Sequence, residues 1–355
     1  MIDVSHKQAI ATAMGIISGQ DGVPMPGDYD RAASALSSAQ VVPFAKAKLA
    51  ALTAMGCGVP RDRDRACALY FDAVVSGFPP LLRDMAVIND GARGDKGLTR
   101  SLLMRAASSG DHMAADLILA WERREPPVSA SAIDSAALKT SLAKIFHAAP
   151  VIQPSSLSPD LPVFAHVNAL TPLQCDYLMM SAAPLLQPSK VVDGDHSEQA
   201  GFRTSDGAAF LPARMDLPVL QIITKLASLA GAAPEQGEFL ALLRYRPGQE
   251  YRPHHDYLPE DKADYAKVKR SGQRRMTVLT YLNNGYHGGE TDFPKLNISH
   301  NGGQGDSLVF ANIDETSKPQ PQSLHAGLPV SQGEKWLITL WVREKRFWPW
   351  PAKTL

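Results

Sequence analysis

The run LRYRPGQEYRPHHDY, Leu243 to Tyr257, ends in three residues of types that bind metals: His254, His255 and Asp256. A His and an Asp two apart on a strand project from the same face, because side chains alternate with period two. One metal ion can therefore take both, whereas His255 between them must point the other way. A third ligand would complete the two-His-one-carboxylate face that leaves positions open for non-haem Fe(II) chemistry. His325, about 70 residues later in SLHAGLPVSQGEKW, is the best candidate. Taken alone, such a triplet also fits zinc or acid–base work. Lys335 sharpens the choice. Ten positions after His325 and just ahead of the apolar stretch WLITLW, it would put an ammonium inside a largely apolar barrel, where an unpaired charge is costly and an anionic ligand would remove the cost. The plainer alternative is a Lys at a turn pointing into water.

The elements that would position these residues are short strands. FLALLRYRP, EYRPHHDY, RMTVLTYLN, GGETDFP, SLVFANI, SLHAGLPV and KWLITLWVRE alternate apolar with polar residues between Gly, Asn and Pro turns, the pattern of an antiparallel barrel or double-sheet jelly roll. Ahead of them come a short strand (VFAHV), a helix starting at Thr171-Pro172, and an amphipathic helix from Leu217 to Ala230 that should pack on the outside of a sheet. The first third is different. It is rich in Ala, Leu and Met at helical spacing, and Asp30-Arg31-Ala32, Gly22-Val23-Pro24 and Ser76-Gly77 recur as Asp64-Arg65-Ala66, Gly58-Val59-Pro60 and Ser109-Gly110 at offsets of 34, 36 and 33 residues. That is the period of a helix–turn–helix repeat. The organisation expected is an all-helical repeat region over 1–125, a Pro/Ser/Ala-rich linker over 126–162 carrying one helix from about Ile133 to Phe146, and a catalytic domain over 163–355.

Composition narrows the partners. Lys plus Arg equals Asp plus Glu at 36 each, so no global field favours nucleic acid. The three cysteines, Cys57, Cys67 and Cys175, lie far apart, which argues against a disulfide framework and a thiolate zinc site alike. No stretch approaches the roughly 18 apolar residues of a membrane helix, and a cytoplasmic location is expected.

The segment from Val163 to Trp348 resembles the prolyl 4-hydroxylase branch of the Fe(II)- and 2-oxoglutarate-dependent dioxygenases through LTPLQCDYL, FRTSDGAAFL, RYRPGQEYRPHHD, RRMTVLTYLNNGYHGGETDFP, GDSLVF and HAGLPVSQGEKWLITLWVRE. The resemblance implies a double-stranded β-helix of the jelly-roll or cupin type flanked by helices. It implies His254, Asp256 and His325 as iron ligands and Lys335 as partner of the distal carboxylate of 2-oxoglutarate. By the same matching, Tyr245 and Tyr281 face the cosubstrate, and Thr291 and Trp341 line its pocket. The resemblance further implies dioxygen as co-reactant, ascorbate as reductant, and succinate and carbon dioxide alongside the hydroxylated product. Halogenating relatives carry a small residue in place of the carboxylate, so Asp256 points to hydroxylation. The segment GCGVPRDRDRACALYFDAVVSG resembles the Sel-like relatives of the tetratricopeptide repeat, which implies either a docking surface or a cap that serves stability or dimerisation.

The leading reading is hydroxylation of a prolyl residue in a peptide or protein. A free amino acid, a small metabolite or a peptide natural product is the alternative substrate, and an inactive scaffold the alternative class. AlkB-type nucleic-acid demethylases use arginines after the distal His, unlike Lys335 here. Arg203 could meet substrate or form an ion pair, and Leu258 to Arg275 could be a lid or a solvated loop. His287 and His300 are expected in solvent, and the aromatics of RFWPWP buried.

Overall fold

In the computed structural model, residues 3–18, 26–147, 153–189, 192–193, 196–197, 203–258 and 270–348 are described. The helices of the first part begin where side chains can satisfy the amides that a helix start leaves open. Asp62, Asp95, Asp111 and Asp134 adopt extended backbone and accept from amides two or three residues on. Pro43 and Pro79 open two others, at the position where a missing N–H costs nothing. Helices Pro43–Met55 and Arg63–Val74 pack as one pair, and Pro79–Gly91 and Lys96–Ser108 as the next. The equivalent helices start 36 and 33 residues apart, so the expected repeat is present as successive helix pairs. The turn within the first pair requires glycine. Gly58 has φ +69°, and a Cβ there would lie 2.0 Å from the carbonyl oxygen of Tyr29.

Contacts divide the chain into two compact units. One comprises Met1–Ala149, Leu211–Thr224 and Trp348–Leu355, the other Pro150–Phe210 and Lys225–Phe347. This grouping cuts across chain order, unlike the boundaries read at 125 and 162. Helix Ser135–Ala143 joins the first unit. So does the first half of helix Leu217–Leu229, which the sequence assigned to the outside of a sheet. The Gln221 side chain donates to the carbonyl of Ile88 at 3.0 Å, and Lys48 Nζ donates to the carbonyl of Ala213 at 3.0 Å.

In the second unit every strand expected after Glu238 is found. The larger sheet runs in the order 155–156, 163–166, 307–311, 274–281, 335–343, 241–245, 206–209 and 187–188, and the smaller in the order 298–300, 291–293, 325–327 and 251–254. The neighbours in both are antiparallel. The chain alternates between the sheets as it runs, which makes the unit a double-stranded β-helix of the jelly-roll class. Its core lies between them. Leu279, Tyr281, Leu308, Phe310 and Leu337 of the larger sheet cluster with Phe293 of the smaller, and Phe293 meets Phe310 edge-on at 5.1 Å between ring centroids. Helix Pro172–Ala182 starts with a full capping box, Thr171 with Gln174. At the far end Phe347 packs edge-on against Phe239 at 5.5 Å; Trp348, which belongs to the first unit, is buried. Among the described residues no helix is long and apolar enough to cross a membrane.

Candidate metal and cosubstrate site

Two neighbouring strands of the smaller sheet create the site. In the ladder between 251–254 and 325–327, His254 sits directly opposite His325, which brings the rings to 4.2 Å between centroids. Each imidazole is oriented by its own backbone. Nδ1 of His254 lies 2.8 Å from the carbonyl oxygen of Arg252, and Nδ1 of His325 lies 2.9 Å from that of Ser323. A carbonyl only accepts, so both Nδ1 atoms carry a proton, and Nε2 is the nitrogen of each ring turned away from the backbone and open to a metal. Tyr251 stacks on His254 at 3.5 Å, and Phe310 meets His325 edge-on at 4.7 Å.

Asp256 reaches the same point from just beyond the strand, which ends at His254. Asp256 thus joins His254 not through strand alternation but through a bend after the strand that swings the carboxylate inward. Its Oδ1 is 3.7 Å from His254 Nε2 and its Oδ2 is 3.7 Å from His325 Nε2. Among the described residues these three are the one cluster of His, Cys and acidic side chains whose ligand atoms all lie within 4.8 Å of one another. Burial works to raise the Asp256 carboxyl, but His325, His254, Arg274 and the Thr277 hydroxyl outweigh it and hold it below the usual carboxylate range. Burial, helped by His325 and opposed by Asp256, pushes His254 down to about 3. The unit thus holds neutral imidazole next to ionised carboxylate, the protonation states a divalent metal requires. His255 stays out, with Nε2 3.2 Å from the carbonyl oxygen of Pro321.

Across the cavity stands Lys335, only 2% exposed. It is the first residue of strand 335–343 and pairs with Tyr245 in the neighbouring strand. Its Nζ donates to the carbonyl of Gly289 at 2.6 Å and lies 5.2 Å from the Tyr281 ring centroid. Burial pulls it down from 10.5 to about 8, with Glu290 working the other way. A buried ammonium whose hydrogen-bond partner is one carbonyl is suited to an anion. Tyr245, Thr291 and Trp341 line the same cavity as Lys335 and the three candidate ligands, together with Arg203 and Tyr251. Tyr281 is wholly buried beside Lys335. Its hydroxyl is bonded to Thr291 Oγ1 at 2.9 Å and donates to the carbonyl of His300 at 3.3 Å, so Thr291 is what borders the cavity there. His287 is exposed as expected, whereas His300 is partly buried, 5.9 Å from the Tyr281 ring. Arg203 carries its guanidinium 5.2 Å from the Tyr251 ring centroid.

Several residues that position the site were not singled out from sequence. Thr277 and Asn312 form a buried hydrogen-bonded chain to Asp256. Arg274, clamped by Glu238 at 2.7 and 2.9 Å, donates to the Asp256 carbonyl at 3.3 Å and covers the Trp341 ring at 4.0 Å. One signal was available: strand parity puts Thr277 on the same face as Leu279 and Tyr281. The proposed lid lies mostly outside the described residues, at 259–269. At its near end the Gln273 amide holds both main-chain groups of Leu258, at 2.7 and 2.8 Å.

A jelly roll with two histidines, an aspartate and a buried lysine around one cavity defines an oxygenase of the iron and 2-oxo acid class. Residues 240–343 match the model of the 2OG-Fe(II) oxygenase superfamily. The chain is 37% identical over 192 residues to prolyl 4-hydroxylase 1 of Arabidopsis thaliana, spanning 50% of this chain and 66% of that one. To prolyl 4-hydroxylase 2 of the same plant it is 36% identical over 236 residues, spanning 59% of this chain and 77% of that one. The chain belongs to the prolyl 4-hydroxylase family and is a 2-oxoglutarate-dependent dioxygenase. Its helical part is similar to a Sel1 repeat protein from Oxalobacter formigenes, at 23% identity over 33% of this chain and 89% of that one, with a TM-score of 0.26.

Proposed function

We propose that the chain hydroxylates a prolyl residue of a peptide or protein, with His254, Asp256 and His325 holding Fe(II) and Lys335 holding 2-oxoglutarate. The observation that carries this reading is two imidazole Nε2 atoms and an ionised carboxylate gathered within 3.7 Å contacts, facing a buried ammonium across one cavity. Ferrous iron bound there would supply the redox chemistry that couples decarboxylation of 2-oxoglutarate by O2 to oxygen insertion into a C–H bond. The protein's share is orientation and exclusion of water. Lys335 and Thr291 hold the far end of the cosubstrate. Leu279 and Leu337 keep its path dry. Trp341, whose buried indole N–H meets no acceptor among the described residues, offers a donor at the same cavity. Arg203 and Tyr251 are proposed to border the substrate.

Ascorbate is the proposed reductant. A reducing, cytoplasmic setting agrees with three cysteines that form no disulfide. The helical repeats are proposed to hold the peptide or a second copy of the chain. The test is succinate formation by purified protein with Fe(II), 2-oxoglutarate and ascorbate, across proline-containing peptides and free amino acids. Wild type should form succinate in step with hydroxylated peptide, and Asp256→Ala should form none. If only a free amino acid is turned over, the peptide reading fails. If neither protein consumes 2-oxoglutarate while both bind iron equally, the iron-site reading fails with it.

A further inference from the structure

The Asp256 carboxylate is fastened from a strand to which it does not belong. Thr277, wholly buried in strand 274–281, sets Oγ1 2.7 Å from Asp256 Oδ2, and Asn312, also wholly buried, sets Nδ2 2.8 Å from that same Oγ1. The chemistry of the three groups fixes the direction of both bonds. An amide nitrogen only donates and an ionised carboxylate only accepts. The one hydroxyl proton of Thr277 must then go to Asp256, while its oxygen receives the proton of Asn312. The same logic fixes which way the Asn312 amide faces, since its oxygen turned to Thr277 would compete for that proton.

The main chain of Asp256 is held independently. Arg274 Nη1 donates to its carbonyl at 3.3 Å, and Glu238 clamps that guanidinium. What remains free in Asp256 is rotation of the carboxylate itself, and Thr277 is the group that stops it. Oδ2, which carries the Thr277 bond, lies 3.7 Å from His325 Nε2, and Oδ1 lies at the same distance from His254 Nε2 with no hydrogen-bond partner among the described residues.

Resting on the ligand assignment above, we propose that Thr277, backed by Asn312, is a positioning residue that occupies Oδ2 and leaves Oδ1 as the oxygen for the metal. Asp256 then fills one coordination position instead of two. A carboxylate free to rotate could chelate through both oxygens and take a position that the 2-oxo acid needs. The relay therefore acts on cosubstrate binding, beyond satisfying three buried polar groups.

The test uses the full-length protein loaded with Co(II), whose visible absorption reports coordination number, and titrated with 2-oxoglutarate without O2. Thr277→Val keeps the shape and removes the hydroxyl. It should change the Co(II) spectrum and weaken 2-oxoglutarate binding by about 10- to 100-fold, the usual effect of removing a group that orients a ligand. Thr277→Ser keeps the hydroxyl and should restore both. Thr277→Ala, which adds no methyl beside Asn312, gives the same readout should the valine protein not fold. A hydroxyl with a purely structural role would lower the melting temperature and leave spectrum and affinity alone, and that result in Thr277→Val or Thr277→Ala overturns the proposal. Asp256→Ala separates the two layers. If it binds Co(II) as wild type does, the ligand assignment falls and this inference with it. If it loses Co(II) while Thr277→Val matches wild type in spectrum and affinity, only the inference falls.

Discussion

Lys335→Met replaces a buried ammonium with an apolar side chain of similar length, and the structure fixes what should follow. In the unfolded chain Lys335 keeps its proton to about 10.5, and in the folded chain to about 8. Between those values the folded state binds fewer protons than the unfolded one, so stability rises with pH across that window. Below pH 8 the charge is present and costs the fold about 3 kcal/mol, taking ~1.4 kcal/mol per unit. Methionine removes that cost but leaves the Gly289 carbonyl without its donor, a loss of about 1 to 3 kcal/mol. The two offset, and the ligand-free variant should melt within a few degrees of wild type. Cosubstrate binding has no such compensation. Losing a charge-assisted bond of about 3 kcal/mol in a dry site corresponds to an affinity on the order of 100-fold weaker.

The assay is calorimetric titration of the Mn(II)-loaded protein with 2-oxoglutarate in the absence of O2, at pH 7 and pH 9. Wild type should bind about tenfold more weakly at pH 9, because one unit above its pKa about a tenth of Lys335 remains charged. The methionine variant should bind weakly and equally at both pH values, with Mn(II) affinity within about threefold of wild type. Unchanged 2-oxoglutarate affinity, or a pH dependence that survives the substitution, would refute the role given to Lys335.

Two further outcomes concern the scaffold. Glu238 is buried between Arg274, from which it accepts at 2.7 Å, and Arg343, whose Nε lies 2.5 Å from it in an ion pair, and Glu238→Gln removes the carboxylate that both guanidinium groups share; urea unfolding should show a loss of about 3 to 5 kcal/mol, and a loss under 1 kcal/mol would mean solvent reaches the pair. Gly58→Ala places a Cβ 2.0 Å from the Tyr29 carbonyl oxygen at φ +69°; it should cost the helical unit at least about 2 kcal/mol by thermal circular dichroism while Mn(II) affinity stays at the wild-type value.

The site was legible in sequence to the extent that its chemistry lies in rare residue types. Two histidines, an aspartate and a lysine in a barrel of apolar strands leave few roles for those side chains, and ladder register does the rest by setting His254 opposite His325 and Lys335 opposite Tyr245. Strand parity places Thr277 on the same face as Leu279 and Tyr281, but its link to Asp256 and Asn312 was not legible, because a threonine in a strand is ordinary and those partners lie 21 and 35 residues away. Only the fold shows that the three meet. For Tyr281 the motif placed the ring, which lies beside Lys335, but not the partners of its hydroxyl, Thr291 and the His300 carbonyl. Helix Leu217–Leu229 shows the same limit at larger scale, since amphipathic spacing states that a face is covered without stating by what.

That last element decides how the helical region can be tested. Residues 211–224 have their contacts within the unit that begins at residue 1, and their fastenings are specific: Gln221 to Ile88, and Lys48 to Ala213. Deleting residues 1–125 would strip those partners from a segment whose apolar side chains, Leu217, Val219, Leu220, Ile222 and Ile223, are buried in the intact chain. Insolubility of the truncated protein would then follow from exposed apolar surface alone. It would say nothing about docking. A docking role has to be read from surface substitutions that leave those fastenings in place, with the KM for peptide as readout against an unchanged KM for 2-oxoglutarate. Exposed Met104 and Leu119 in the repeat helices are suitable first positions. A peptide KM that rises several-fold on Met104→Glu or Leu119→Glu, with the melting temperature held, supports docking at that face. A KM unmoved by both places substrate selection elsewhere.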